Sequence, residues 1–381
     1  MAVAAPPAKQ LQNWLKRFPK ADLNGDGKLT AAEADAYRKQ LQGGRKSGNA
    51  QRGVKREFAI DKGWQADRFP EHAVSYKSPA EIKAIYASQV GERKAVTSFE
   101  KPDDGALRIV GTGHSFMAPG YKTLPLICRA AGFSQPLYTH TGGGMTGSTR
   151  YKWEQENGIF QFDGKPKPKL LASIANAKWE AMMWGPYFQD RPEFYSCWID
   201  FCLKYNPGMK FYLSDAWPQL YQLEKIPTSE EFFTEAVFDR MGKDRTAGYV
   251  ELVGELRKTS SSEVYILPTS DAMVLAAKHY LRGELPGIEG INRIIGRKER
   301  SLWRDQLGHL GPGFDRLEGY VFYSTIYGRS PELLPAKIGF PDKGGFPSAE
   351  LDRVFRKIAW QAVTGNALSG VRDKDGNGIA D

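Results

Sequence analysis

The sequence predicts an α/β protein, a doubly wound and mostly parallel sheet with helices on both faces, carrying a small helical unit at its N-terminus. Three observations predict it. From about residue 100 to 335, strand-like runs alternate with segments of helical periodicity, as in successive βαβ units. The strand-like run Leu107–Val110 passes straight into the glycine-flanked turn Gly111-Thr112-Gly113-His114-Ser115 and then a helix. Residues 8–42 follow a different pattern, with Leu11, Trp14, Leu15 and Phe18 at helical spacing.

In chain order, strands are expected at 106–111, 135–140, 179–184, 209–214 and 263–268. Helices are expected at 120–132, 167–177, 192–205, 229–258, 271–282 and 314–327. A last amphipathic helix runs from Ala349 to Val363, with Leu351, Val354, Phe355, Ile358 and Ala359 on one stripe. Residues 216–262 exceed a simple crossover and read as a lid or an oligomer contact. The expected units are 1–42, a basic linker and packing extension over 43–100, the α/β domain over 101–335, and a C-terminal helix and acidic loop over 336–381.

Within the first unit, Asp22-Leu23-Asn24-Gly25-Asp26-Gly27-Lys28-Leu29-Thr30-Ala31-Ala32-Glu33 matches the twelve-residue EF-hand loop. Asp22, Asn24 and Asp26 offer side-chain oxygens at positions one, three and five. The Lys28 carbonyl, Thr30 and Glu33 complete the set, and Gly27 makes the sharp turn. The expected ion is calcium in a structural role; a calcium sensor docking a partner is the weaker reading of an unpaired loop. A second Asp-x-Asp-x-Asn-Gly run at Asp373–Gly378 gives Asp373, Asp375, Asn377 and Asp381 as ligands, or else a frayed acidic tail.

Composition bounds the function. The chain has 381 residues, 41% hydrophobic and 25% charged, ordinary for a soluble protein, and no apolar run approaches the roughly 20 residues that span a bilayer. Residues Met1–Pro7 lack the basic start and apolar stretch of a signal peptide, so a secreted or periplasmic location, expected from the calcium loops, rests on a leader trimmed from this chain. Three cysteines, Cys128, Cys197 and Cys202, read as buried thiols rather than a disulfide scaffold. A net charge of +9 favours acidic partners such as anionic polysaccharide. Arg45, Lys46, Arg52, Lys55 and Arg56 lie in a glycine-containing stretch that reads as a solvated linker, not a specific nucleic-acid site.

The chemistry gathers on Ser115. A serine hydroxyl needs a base within hydrogen-bond reach to act as a nucleophile. Of His72, His114, His140, His279 and His309, only His309 has a nearby upstream acid, Asp305, sits in a glycine-rich loop and precedes a helix. Ser115, His309 and Asp305 are therefore the expected catalytic residues; the alternative for Ser115 is a strand-to-helix cap. His114 and His140 are candidates for packing or substrate contact. Trp153, Trp184, Trp217 and Trp303 are candidate stacking platforms for sugar rings, with Trp184 placed at the site. No His-Glu-x-x-His motif or carboxylate cluster within the α/β region suggests a catalytic metal.

The order of Ser115, then Asp305 and His309, with a glycine turn and helix after the first strand, resembles the SGNH hydrolases, the GDSL-like esterases. The likeness covers about residues 105–335 by segment order. It implies a flavodoxin-like three-layer fold and an oxyanion hole made by the Ser115 N–H and a glycine, answered here by Gly142 and Gly143 of Gly142-Gly143-Gly144. It also implies an asparagine donor, but the matching strand end reads Trp184-Gly185-Pro186-Tyr187-Phe188-Gln189, leaving Tyr187 or Gln189. Two further departures are Gly-His before the nucleophile in place of Gly-Asp, and an acid four rather than three residues before the histidine. Asp215 or Asp271 is the substitute should Asp305 not reach. The function expected is a serine esterase, a carbohydrate O-deacetylase acting on a polysaccharide. The rivals are a lipid or aryl esterase and a non-catalytic carbohydrate-binding or structural protein on a degenerate form of the fold.

Overall fold

The computed structural model describes residues 11, 15, 21–24, 26–34, 36–37, 97–141, 170–185, 192–260, 262–341 and 344–381. The chain divides into two compact units, Met1–Glu57 and Phe58–Asp381. In the first, the Asp22–Glu33 loop leads into helical residues 31–34 and 36–37, opened by a reciprocal cap. Thr30 Oγ1 accepts from the Glu33 N–H at 3.2 Å, and the Glu33 carboxylate accepts from the Thr30 N–H at 2.9 Å. The basic stretch expected from 43 onward lies, up to residue 96, outside the described residues.

In the second unit five strands form one parallel sheet in the order β2-β1-β3-β4-β5. They are β1 (Ile109–Gly113), β2 (Leu137–Thr141), β3 (Ala181–Trp184), β4 (Lys210–Ser214) and β5 (Val264–Leu267). The helices are α1 (Ala118–Ala130), α2 (Leu170–Asn176), α3 (Pro192–Tyr205), α4 (Glu235–Thr259), α5 (Thr269–Leu281), α6 (Phe314–Tyr327) and α7 (Ala349–Gly365).

The central strands are buried on both faces, and period-two alternation divides their side chains between two core halves. Ala181 and Met183 of β3 join residues of α1, α5, α6 and α7 on one side. Met182 and Trp184 join residues of α2 and α3 on the other. The result is a three-layer α/β sandwich.

The segment expected as a lid or oligomer contact is anchored in the core on its way from β4 to β5. Trp217, Leu220, Leu223 and Phe233 are buried on the way out of β4. In α4, Phe238 and Met241 join the first core half while Tyr249, Leu252, Val253 and Leu256 join the second, because the 25-residue helix bridges the two layers. Sequence reasoning missed a second, two-stranded parallel sheet of β6 (Gly290–Asn292) and β7 (Ser301–Trp303), whose three-residue strands are too short to show periodicity. Among the described residues no helix is long and apolar enough to cross a membrane.

Candidate active site

The order 2-1-3-4-5 puts its switch point between β1 and β3, where the connections leave to opposite faces and open a crevice at the strands' carboxyl ends. Ser115 lies there, in the turn after β1, and is exposed. Gly113, at φ +134°, lets the chain leave the strand; a Cβ there would sit 2.9 Å from Met117 Cγ and 3.0 Å from the Gly185 carbonyl at the end of β3. The Met117 N–H closes the turn on the His114 carbonyl at 3.0 Å.

Ser115 is not a helix cap. The N-cap of α1 is Met117, which makes no side-chain capping bond. The Ser115 hydroxyl instead meets His309 Nε2 at 2.7 Å.

His309 is presented by a hairpin loop that continues β7. Trp303 pairs antiparallel with Leu310, and the Arg304 N–H donates to the His309 carbonyl at 2.8 Å. At the tip, the Asp305 carbonyl accepts from the Gly308 N–H at 3.3 Å, with Gly308 at φ +84°. This turn absorbs the extra residue between acid and base. Asp305 Oδ2 lies 2.8 Å from His309 Nδ1, and Oδ1 accepts the N–H groups of Leu307 at 3.0 Å and His309 at 3.1 Å. Arg304 Nε lies 3.6 Å from Asp305 Oδ2, a further charge at the edge of the pair. An acceptor at Nδ1 holds that nitrogen protonated and leaves Nε2 free to take a proton from Ser115.

The two substitute acids go elsewhere. Asp215 Oδ1 accepts from Thr269 Oγ1 at 3.0 Å and the Ser270 N–H at 2.8 Å, capping α5, whose own N-cap Pro268 supplies no side-chain bond. Burial, and then its neighbour Asp271, push the Asp215 carboxyl up to about 8. Asp271 accepts from Asn366 Nδ2 at 2.7 Å.

Trp184 is corrected: it is fully buried between Tyr195 and Phe211, because alternation on a central strand turns it into the α2–α3 layer. Trp217 and Trp303 are likewise core residues, at 1% and 4% exposure, and Trp153 lies outside the described residues. His114 is half-buried and its Nδ1 accepts the Phe116 N–H at 3.4 Å, so it braces the turn. His140 is half-buried at the end of β2, opposite Thr112. Gly142, Gly143, Tyr187 and Gln189 lie outside the described residues. Among the described residues nothing accepts from the Ser115 N–H.

Three contributors carried no sequence signal of chemistry. The Phe116 ring meets His309 edge-on at 5.1 Å and packs on Trp217 at 4.5 Å. Asn292 Nδ2 donates to the Asp305 carbonyl at 3.1 Å. Glu318 Oε2 accepts the Gly120 N–H at 2.7 Å, in the first turn of the helix that follows Ser115.

The two calcium-type loops are wound alike. Asp22 Oδ2, Asn24 Oδ1 and Asp26 Oδ1 accept the N–H groups of Gly27, Asp26 and Lys28 at 2.8, 3.0 and 2.8 Å. Asp373 Oδ2, Asp375 Oδ1 and Asn377 Oδ1 accept those of Gly378, Asn377 and Ile379 at 3.0, 3.1 and 2.7 Å. The C-terminal run is no frayed tail: Trp360 Nε1 donates to Asp373 at 3.0 Å, and the Ala380 N–H to the Gly328 carbonyl at 2.7 Å. Among the described residues no three His, Cys, Asp or Glu side chains are gathered as a metal site.

No protein-family description matches the chain, and no curated protein matches it. Among solved structures it is similar to the crystal structure of a DUF4886 family protein from Bacteroides uniformis ATCC 8492, at 13% identity and a TM-score of 0.44, over 68% of this chain and 95% of that one.

Proposed function

We propose that the protein is a serine esterase of SGNH-like type that removes acetyl groups from a polysaccharide. The observation that carries the reading is the continuous relay from Ser115 Oγ through His309 to Asp305, at 2.7 and 2.8 Å, beside the crevice at the sheet's switch point.

Ser115 Oγ attacks the ester carbonyl as its proton passes to His309 Nε2, and Asp305 stabilises the imidazolium through Nδ1–H. The oxyanion is held by the Ser115 N–H and by donors proposed from Gly142, Gly143, Tyr187 or Gln189. Collapse breaks the bond to the sugar oxygen, which takes the proton from His309 and leaves as the hydroxyl, with the acetyl group on Ser115. Water, deprotonated by the same nitrogen, then releases acetate and restores the serine.

The net charge of +9 favours an anionic glycan. Calcium is proposed as a structural ion in the Asp22–Glu33 and Asp373–Asp381 loops, whose oxygen-rich donors suit a hard cation, and an extracytoplasmic setting goes with it.

The test is hydrolysis of a chromogenic acetyl ester and an acetylated glycan by the wild type and Ser115→Ala. Activity on both that disappears with the hydroxyl supports the reading. A wild type inert on both overturns it and makes glycan binding without catalysis the next measurement.

A further inference from the structure

A buried acid holds the first turn of the helix that follows the proposed nucleophile. Glu318 on α6 is 2% exposed, and its Oε2 accepts the Gly120 N–H at 2.7 Å. Gly120 stands in the first turn of α1, the helix that follows Ser115. That helix lacks a capping side chain, since Met117 supplies none and Pro119 has no N–H to satisfy. Glu318 therefore caps the helix from across the core.

Two glycines allow the reach. A Cβ on Gly120 would collide with the Phe322 ring, and one on Gly319 with Thr123 Oγ1, so α1 and α6 touch at these positions. The other oxygen, Oε1, is buried without a formed hydrogen bond, as is the indole Nε1 of Trp217. The indole is nevertheless close enough to favour the carboxyl's charged form. Trp217 packs on Phe116, and Phe116 meets the edge of His309. One carboxyl thus holds the Ser115 helix through one oxygen and lies close to the indole of the aromatic wall that reaches His309.

We propose that Glu318 is a positioning residue that sets the register of Ser115 against His309. This rests on the esterase reading. Burial, and then the like charge of Asp315, hold the carboxyl well above the usual range, and burying it with one oxygen unmatched has a cost that packing alone does not explain.

The test compares Glu318→Gln, Glu318→Leu and Trp217→Phe with the wild type. Glutamine keeps one acceptor and presents a donor to the other N–H; leucine keeps none. Expected are a kcat lower by about tenfold in Glu318→Gln and about 100-fold in Glu318→Leu, with KM unchanged, because misplacement by about 1 Å carries that penalty. Trp217→Phe should lower kcat severalfold while keeping the aromatic wall. The His309 Nδ1 proton resonance and imidazole titration, read by NMR, should shift in the same order, whether or not any ester is cleaved.

Variants that lower only the melting temperature, with kcat, resonance and titration unmoved, overturn the proposal and leave Glu318 a structural cap. An inert wild type whose His309 resonance still shifts in Glu318→Gln would sink the esterase reading while upholding the positioning role.

Discussion

Asp305 grips His309 twice: Oδ2 meets the ring Nδ1 at 2.8 Å, and Oδ1 accepts the same residue's backbone N–H at 3.1 Å. A single carboxylate therefore fixes both the loop and the imbedded ring, and the imidazole needs no other acid to orient it. Asp305→Asn preserves the acceptor toward the backbone but turns an NH₂ toward Nδ1, which favours the proton on the wrong nitrogen. The expected loss in kcat is about 1,000- to 10,000-fold. The melting temperature should change little, since Asp305 is one-third exposed. Hydrolysis of a chromogenic acetate checks this, and a loss below tenfold would remove Asp305 from the relay.

The loop that makes this grip possible depends on Gly308. Its φ of +84° disfavours any side chain, and a Cβ would lie 3.0 Å from both the Pro218 carbonyl and Gln219 Cγ. Gly308→Ala is expected to cost about 1–2 kcal/mol from the backbone alone, plus the contact, and to lower kcat as His309 moves. Gly283→Ala is the control, at φ +75° with nothing within 4 Å. It should show the backbone cost in a thermal melt and leave kcat intact. Equal effects of the two on kcat would mean that the Gly308 turn does not place the base.

Much of the α/β core was legible because buried strands and amphipathic helices write themselves as local periodicity. The segment at 192–205 was expected as a helix with the observed ends, and all five strands of the main sheet fall within expected runs to a few residues. Ser115, Asp305 and His309 were legible as residue types in glycine-rich turns, but their distances were not. The four-residue spacing became workable only through the Gly308 turn and the Trp303–Leu310 bridge. Trp184 was misplaced because composition cannot say which face of a strand an aromatic takes. Glu318 was invisible since a lone acid within an apolar helix carries no signal until α1 is packed against it.

Asp215 predicts how stability should depend on pH. Burial and Asp271 raise its carboxyl to about 8, well above the unfolded value near 3.8, while Arg245 opposes the shift. The folded chain therefore holds a proton that the unfolded chain releases between those two values. Stability from this group falls as pH rises from about 4 to about 8, by up to about 1.4 kcal/mol per pH unit, and levels off above. Asp215→Asn keeps an acceptor for Thr269 and the Ser270 N–H but cannot ionise. Melts from pH 5 to 9 should show a shallower decline for the variant, and parallel curves would mean that Asp215 does not titrate in this range.

The two oxygen-rich loops yield the last prediction. Each uses its first acid to hold the N–H five residues on, through Gly27 in one and Gly378 in the other, then makes two bonds that each reach two residues on, in the same order. Two sequence-remote segments thus share a hydrogen-bond scheme and an oxygen-rich donor composition, with their carboxylates serving backbone amides. A cation that binds only the folded loop adds about 2.7 kcal/mol when present at 100 times its dissociation constant. Calcium should thus raise the melting temperature by several degrees and a chelator should reverse it. Glu33→Gln and Asp373→Asn then assign the gain, because the loops belong to different compact units. A melt unmoved by calcium and chelator in the wild type would remove the ion from both loops, and a gain lost in only one variant would confine it to that loop.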